Sequence, residues 1–213
     1  MLAAAACMAG GPPAEAHPHV WIAMHSDLVF SGDGRIAGFN MDWTFDDAYS
    51  KLAIEGLDTN GDGVYSEDEL ANLTRNNLTV LKDYDYFTVA RLNGQKLPVG
   101  EVTDYGQLYS GIRLEMHFHL PLKQPVDPRH GAFMLKIYDP DFFVDLEYEK
   151  DDPVEALGAV PAACQVELKP APTDAELDQT RQMLASKGTD WKPENGEDFG
   201  AMFAQALEVK CGA

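Results

Sequence analysis

Twelve consecutive residues, Asp58-Thr59-Asn60-Gly61-Asp62-Gly63-Val64-Tyr65-Ser66-Glu67-Asp68-Glu69, set oxygen-bearing side chains at alternating positions. A hard divalent cation asks for that arrangement, and the run satisfies the calcium-loop pattern D-x-N-x-D-G-x5-E. Asp58, Asn60 and Asp62 offer side-chain oxygens. Gly63 permits the sharp turn that brings the Val64 carbonyl inward. Ser66 ligates directly or through water, and Glu69 supplies two oxygens from the first turn of the following helix. Ser66 and Glu69 also form a capping box, so the helix starts where the motif needs it. A polar Asp/Asn/Gly linker between two helices is the plainer alternative, but so many specified positions argue for calcium. No second such loop is present. Sensor hands work in pairs, whereas lone extracytoplasmic sites bind at ~10⁻⁴–10⁻³ M and stay filled. The expected role is a structural clamp.

Histidine spacing gives a second candidate. In Leu114-Glu115-Met116-His117-Phe118-His119-Leu120 the apolar residues alternate with the polar ones. A strand there sends both imidazoles to one side, their Cβ atoms ~7 Å apart. His17 and His19 repeat the spacing, and His25 has the same parity as His19. Four imidazoles from two neighbouring strands would suit zinc, copper, nickel or cobalt. A chain that begins at His17 adds its α-amine as a ligand, while Pro18 blocks the peptide-nitrogen mode of chelation. On its own, a His-x-His pair is ordinarily a solvated strand face. The four-histidine set therefore requires the two strands to be adjacent.

The elements that would carry these groups follow from periodicity. Residues 20–30 and 36–45 alternate as two strands joined by Ser31-Gly32-Asp33-Gly34-Arg35. In the second, Ala37, Phe39, Met41, Trp43 and Phe45 share a face opposite Gly38, Asn40, Asp42 and Thr44. The period then becomes helical. Asp46 or Asp47 caps a helix bearing Tyr49, Leu52, Ala53 and Leu57, and Ser66 caps another bearing Leu70, Leu73, Leu78 and Leu81. Strand character returns at 86–92, before the hairpin signal Asn93-Gly94, and again at 106–120, 131–138 and 142–149. Asp151-Asp152-Pro153 marks a boundary. Beyond it come a strand at Cys164, a helix capped by Thr173 and Glu176 running to about Lys187, a loop over 191–200 and a strand at Cys211. The expected fold is α+β: an antiparallel β-sandwich over 17–150, a helix-loop-helix inserted at 46–84, and a disulfide-stapled C-terminal segment over 151–213.

The chain has 213 residues, with 16 Lys+Arg against 35 Asp+Glu, a net charge of −19. Such a surface repels phosphate backbones, so nucleic acid is not an expected partner, and cations are. No apolar run approaches a membrane span. Residues 1–16, MLAAAACMAGGPPAEA, read as an export leader, apolar and then broken by Gly and Pro, with a small-x-small end at Ala14-Glu15-Ala16. The basic region that opens a leader is missing, as in a truncated one. Export places the mature chain, from His17, in the periplasm. Cys7 leaves with the leader, and Cys164 and Cys211 remain in an oxidising compartment. Each sits in an alternating segment, as a cross-strand bridge requires; a metal-thiolate pair lacks any CxxC.

His17-Pro18-His19-Val20-Trp21-Ile22 and Trp43-Thr44-Phe45-Asp46 add a resemblance. So do the calcium loop, Asp85-Tyr86-Phe87-Thr88, Tyr138-Asp139-Pro140 and Gly200-Ala201-Met202-Phe203-Ala204. With these segments the chain resembles uncharacterised secreted bacterial proteins described as the periplasmic component of an ABC-type transport system. Many of those are encoded beside nickel/cobalt transporters. The resemblance implies a periplasmic accessory role linked to metal transport, with a membrane transporter as partner and no catalytic residues. The leading expectation joins the two sets of ligands. Calcium sits on Asp58, Asn60, Asp62, Val64, Ser66 and Glu69, and a transition metal on His17, His19, His117 and His119. One alternative is a calcium-stabilised interaction module without a transition metal. The other is a copper-dependent oxidative enzyme built on His17.

Overall fold

A computed structural model of the chain describes residues 19–185 and 200–212. The leader, His17, the end of the helix at Lys187 and the 191–199 loop lie outside the described residues. Strand β1 (Val20–Phe30) and strand β2 (Ile36–Phe45) form the expected hairpin, followed by helices α1 (Asp47–Ala53) and α2 (Glu67–Asp83). Strands β3 (Thr88–Leu92), β4 (Gln95–Lys96), β5 (Asp104–Ser110), β6 (Arg113–Val126), β7 (Phe133–Ile137), β8 (Val144–Tyr148), β9 (Val154–Gly158) and β10 (Cys164–Lys169) come next. Helices α3 (Asp174–Ala185) and α4 (Gly200–Phe203) then precede strand β11 (Ala206–Cys211).

These strands make two sheets. One has the order β5-β6-β2-β1-β8, with β9 also on β1; the other has β10-β11-β7-β3-β4. Alternation along each strand sends one set of side chains into a common core. Leu28, Phe39, Met41, Trp43, Leu114, Met116 and Leu120 of the first sheet meet Ala90, Phe133, Leu135, Leu207 and Val209 of the second, all 1% exposed or less. The rings of Phe39 and Phe133, one from each sheet, lie 6.3 Å apart.

Several expectations need correction. The first sheet is mixed, because β8 and β9 both pair parallel with β1. The chain leaves β7 in the second sheet and crosses to the first, so it arrives running the same way as β1; tight hairpins would have forced the antiparallel alternative. The Asp139 carboxylate organises that crossing by accepting the backbone N–H groups of Asp141, Phe143 and Val144 at 2.9–3.0 Å. Asp151-Asp152-Pro153 does not set the last third of the chain apart. It is the break between β8 and β9 along one sheet edge, and β10 and β11 complete the second sheet. A bulge between Ile36 and Gly38 changes parity, so Ile36 is buried in the place expected for Ala37. The run 106–120 is two strands, turned at Gly111 with φ +65°. Residues 85–87 are a left-handed turn rather than a strand start, with φ of 51–55°; it buries Tyr86 against Phe118.

The helical expectations hold at their caps. Asp46 accepts from the N–H groups of Ala48 and Tyr49 at 2.8 and 2.9 Å, and Ser66 with Glu69 forms the capping box of α2. Leu52, expected on the buried face of α1, is 71% exposed, because α1 has only two turns and meets the sheet through Ser50 instead. Leu70, Thr74, Leu78 and Leu81 face α2 inward, and the Thr74 hydroxyl donates to Gln107 of β5 at 2.8 Å, out of contact with water.

Cys164 and Cys211 stand directly opposite on β10 and β11 and are joined by a disulfide. The bridge closes a separation of 47 residues, worth about 4 kcal/mol in the chain-entropy account. Replacing both cysteines with alanine is expected to lower the melting temperature by on the order of 10 °C in scanning calorimetry. An unchanged melting temperature would show that the strand pairing holds without the bridge.

Candidate functional site

The twelve-residue loop joins α1 to α2 on the edge of the first sheet. Backbone N–H groups inside the loop orient its ligating oxygens. Asp58 Oδ1 accepts from Gly61 and Asp62, and Asp58 Oδ2 accepts from Gly63. Asn60 Oδ1 accepts from Asp62 at 2.8 Å, and Asp62 Oδ1 from Val64 at 2.7 Å. Gly63, at φ +78°, supplies the left-handed turn that the motif requires, where a side chain would be strained. Glu69 links the two ends of the loop. Its Oε1 accepts from the Thr59 N–H and hydroxyl, and its Oε2 from the Ser66 N–H and hydroxyl, all at 2.8–2.9 Å. These donors, the Ser66 N–H and hydroxyl foremost and then those of Thr59, outweigh a small opposing effect of burial. They hold the Glu69 carboxyl down at about 2, so it is ionised across the physiological range.

The loop is braced on the fold as well. Tyr65 meets Tyr109 of β5 edge to face, ring centroids 5.1 Å apart. Apart from Val64, which would ligate through its carbonyl, every side chain at a ligating position carries oxygen, three are carboxylates, and the loop contains no Lys, Arg or His. That donor chemistry fits calcium. The carboxylates are held apart by their hydrogen bonds, however. Among the described residues no three His, Cys, Asp or Glu side chains converge on a common metal position.

The histidines are arranged differently from the expectation. His17 lies outside the described residues. His19 enters β1, where its N–H donates to the Phe143 carbonyl at 2.9 Å and its ring lies 4.8 Å from that of Phe143. His119 is in register with Asn40, and Asn40 with Asp27. Eight residues of β1 therefore separate His19 from the row of His119, about 26 Å at ~3.3 Å per residue. His117 and His119 are close in sequence but lean apart. The His117 ring covers Gly106 on β5, whereas the His119 ring covers Gly38 and its Nδ1 lies 2.8 Å from Asn40 Oδ1. Among the described residues, His19 is not brought together with His117 and His119.

The structure assembles another group instead. Across β1, β2 and β6 runs one row of His25, Asp42 and His117, and beside it a row of Asp27, Asn40 and His119. Asn40 Nδ2 donates to Asp27 Oδ2 at 3.0 Å. His25 Nε2 lies 2.8 Å from Asp27 Oδ1, and His25 Nδ1 lies 2.6 Å from the Asp152 carbonyl in the β8–β9 break. Both neighbours offer acceptor oxygens, an arrangement that favours the doubly protonated ring. Burial alone would pull its pKa down. The hydrogen bonds to Asp27 and Asp152 and the charges of Asp27 and Asp42 more than reverse that, leaving it above 6.5. In the protonated form neither ring nitrogen has a lone pair to offer a metal. Burial also raises the Asp42 carboxyl, which His25 and His117 pull down and Asp27 pushes up.

Sequence reasoning placed His25 on the right face but did not bring it to Asp42. A usable signal existed: a hairpin centred between Asp33 and Gly34 puts residues 25 and 42, and 27 and 40, opposite one another.

The described part is thus a β-rich protein of two sheets with a helix-loop-helix on one edge and a cross-strand disulfide. Its sequence belongs to the family described as Protein of unknown function (DUF1007), whose family model matches residues 2–211. It is 33% identical over 97 residues to an uncharacterised 15.5 kDa protein in the trpE 3' region of Spirochaeta aurantia, covering 46% of this chain and 69% of that protein. Superposition on the acetylcholine-binding protein AChBP from Bulinus truncatus gives a TM-score of 0.28 at 8% identity, over 89% of this chain and 84% of that one. A likeness so loose carries no argument.

A group whose folded pKa is raised stabilises the fold fully below its unfolded value and loses that contribution as pH rises through the folded value. For His25 the window therefore opens near 6.5 and extends upward. Unfolding in urea at pH 5.5 and 8.5 should show greater stability at the lower pH from this group. His25→Gln should flatten the difference, and an NMR titration of the His25 ring should give a pKa above 6.5. A normal ring pKa would contradict the doubly protonated assignment.

Proposed function

We propose that the protein is a calcium-stabilised binding module of the periplasm. Calcium would be held by Asp58, Asn60, Asp62, the Val64 carbonyl, Ser66 and Glu69. Among the described side chains those residues are all oxygen donors, and the ion would supply a fixed positive centre drawing three carboxylates together. One observation carries this reading: the loop is already turned, with Glu69 linking its entrance at Thr59 to its exit at Ser66. Calcium would displace those hydrogen bonds and bring the three carboxylates onto one centre. The consequence falls on α2, whose first turn contains Glu69 and whose buried face packs on β5 through Thr74 and Gln107.

Export is supported by the leader pattern and agrees with the Cys164–Cys211 bridge. No helix among the described residues is long and apolar enough to cross a membrane. A place beside a metal transporter is what the sequence resemblance implies. It would have to use histidines other than the expected set of four, since His19 stands far along β1 from His117 and His119. Partner binding without catalysis is the simpler reading.

Thermal unfolding in 10 mM calcium and in chelator tests this. A site with a dissociation constant near ~10⁻⁴ M would stabilise by about 2.7 kcal/mol at a hundredfold excess. That corresponds to a rise of roughly 5–10 °C for a chain of this size. Glu69→Gln keeps the helix cap, because glutamine also serves at that position, but removes the charge and should abolish most of the rise. Equal melting temperatures with and without calcium, or an unchanged rise in the variant, would defeat the proposal.

A further inference from the structure

On the outer face of the first sheet, where β8 runs beside β1, lies an open cavity of about 540 Å³. Its volume is within the ~300–1,000 Å³ usual for small-molecule sites. The strand register explains its shape. Trp21 stands opposite Asp145 and Ala23 opposite Glu147, and Thr44 of β2 continues the second of these rows. Alternation sends all five side chains away from the core. Ala23 and Thr44 are short, so the Trp21 indole, 50% exposed, rises beside a low floor with carboxylates as its neighbours.

The charges of the lining do not cancel. Asp46 spends its carboxylate on the N–H groups of Trp21, Ala48 and Tyr49, and Arg113 is paired with Asp47 at 2.7 Å. That leaves the carboxylates of Asp145, Glu147, Glu149 and Asp151 against the single ammonium of Lys150. Burial, and then the neighbouring charge of Glu147, pushes the Asp145 carboxyl up, as happens where negative charge is left unbalanced. On their own these carboxylates would be a solvated strand edge. The half-exposed indole set among them, in the wall of a cavity, is what marks a site. A bare metal ion does not suit the place, since among the described residues no three acidic or imidazole side chains converge on one point. Asp145 and Glu147 are two residues apart on one strand, their Cβ atoms ~7 Å apart. A cation that reaches both must therefore be spread over several atoms. The indole adds a second demand, because an aromatic face attracts a cation laid flat on it. A guanidinium meets both demands: it is planar and weakly hydrated, stacks on aromatic rings and presents a fork of N–H donors to carboxylates. We propose that this trough binds a small guanidinium-bearing organic cation, with its plane on Trp21 and its N–H groups donating to Asp145 and Glu147. None of the lining residues is a calcium ligand, so this proposal stands independently of the calcium reading.

Three butyl compounds of similar size test it on the full chain at fixed ionic strength. N-butylguanidinium has both charge and plane, butylammonium keeps the charge without the plane, and N-butylurea keeps the plane without the charge. N-butylguanidinium should bind saturably with one molecule per chain and move the Trp21 indole N–H resonance of the wild-type protein, a readout that needs no variant to fold. Butylammonium should bind roughly threefold more weakly or worse, and butylurea roughly tenfold or worse. Trp21→Ala removes an outward, half-exposed side chain and leaves the core alone. It should weaken N-butylguanidinium roughly fivefold and bring it to within about twofold of butylammonium. Asp145→Asn combined with Glu147→Gln should weaken both cations roughly tenfold. Absence of saturable binding, butylurea binding as well as the guanidinium, binding indifferent to Trp21→Ala, or a Trp21 resonance that ignores the guanidinium would each overturn the proposal.

Discussion

Strand β1 is paired on both sides over most of its length, and the rest of the molecule is arranged around that constraint. On one side lies β2, antiparallel; on the other lie β8 and then β9, both parallel. A strand held in this way cannot slip by one residue without turning every buried side chain outward. Val20, Ile22, Met24, Leu28 and Phe30 therefore stay in the core, and His19, Trp21, His25 and Asp27 stay on the opposite face. The polar rows across β1, β2 and β6 follow directly from the pairing. So does the meeting of His25 with the Asp152 carbonyl, because the β8–β9 break falls beside His25.

The helical insertion depends on the same sheet. A two-turn α1 and a single loop would be marginal alone, yet they begin at an Asp46 carboxylate that also accepts the Trp21 N–H at 2.9 Å, and α2 ends beside the left-handed turn at residues 85–87. The loop thus reaches the fold through Tyr65 and Tyr109 at one end and through α2 on β5 at the other. A cation there would act on the position of α2.

The legible parts of the sequence were those governed by short-range rules. The β1–β2 hairpin, the caps at Asp46 and Ser66, the Asn93-Gly94 turn, and the pairing of Cys164 with Cys211 each depend on neighbours a few residues away or on simple alternation. The bulge near Ile36 was not legible, because one inserted residue changes parity without changing composition. The left-handed turn at Asp85-Tyr86-Phe87 was hidden for a different reason. Asp85 tolerates positive φ, but Tyr and Phe ordinarily avoid it, and it goes with the burial of Tyr86 against Phe118.

The sequence by itself determined which groups exist and how they alternate: an oxygen-rich loop before a capped helix, imidazoles on the outward positions of strands, and two cysteines in matching segments. Local chemistry suffices for these, since spacing along the chain sets side-chain direction within one element. Only the tertiary structure decided which elements become neighbours. It put His25, and not His19, in line with Asp42 and His117, made β8 and β9 parallel partners of β1, and thereby set Trp21 beside Asp145. Each of these rests on contacts between residues far apart in the chain, whose register is fixed by the shared core and by the crossing from one sheet to the other.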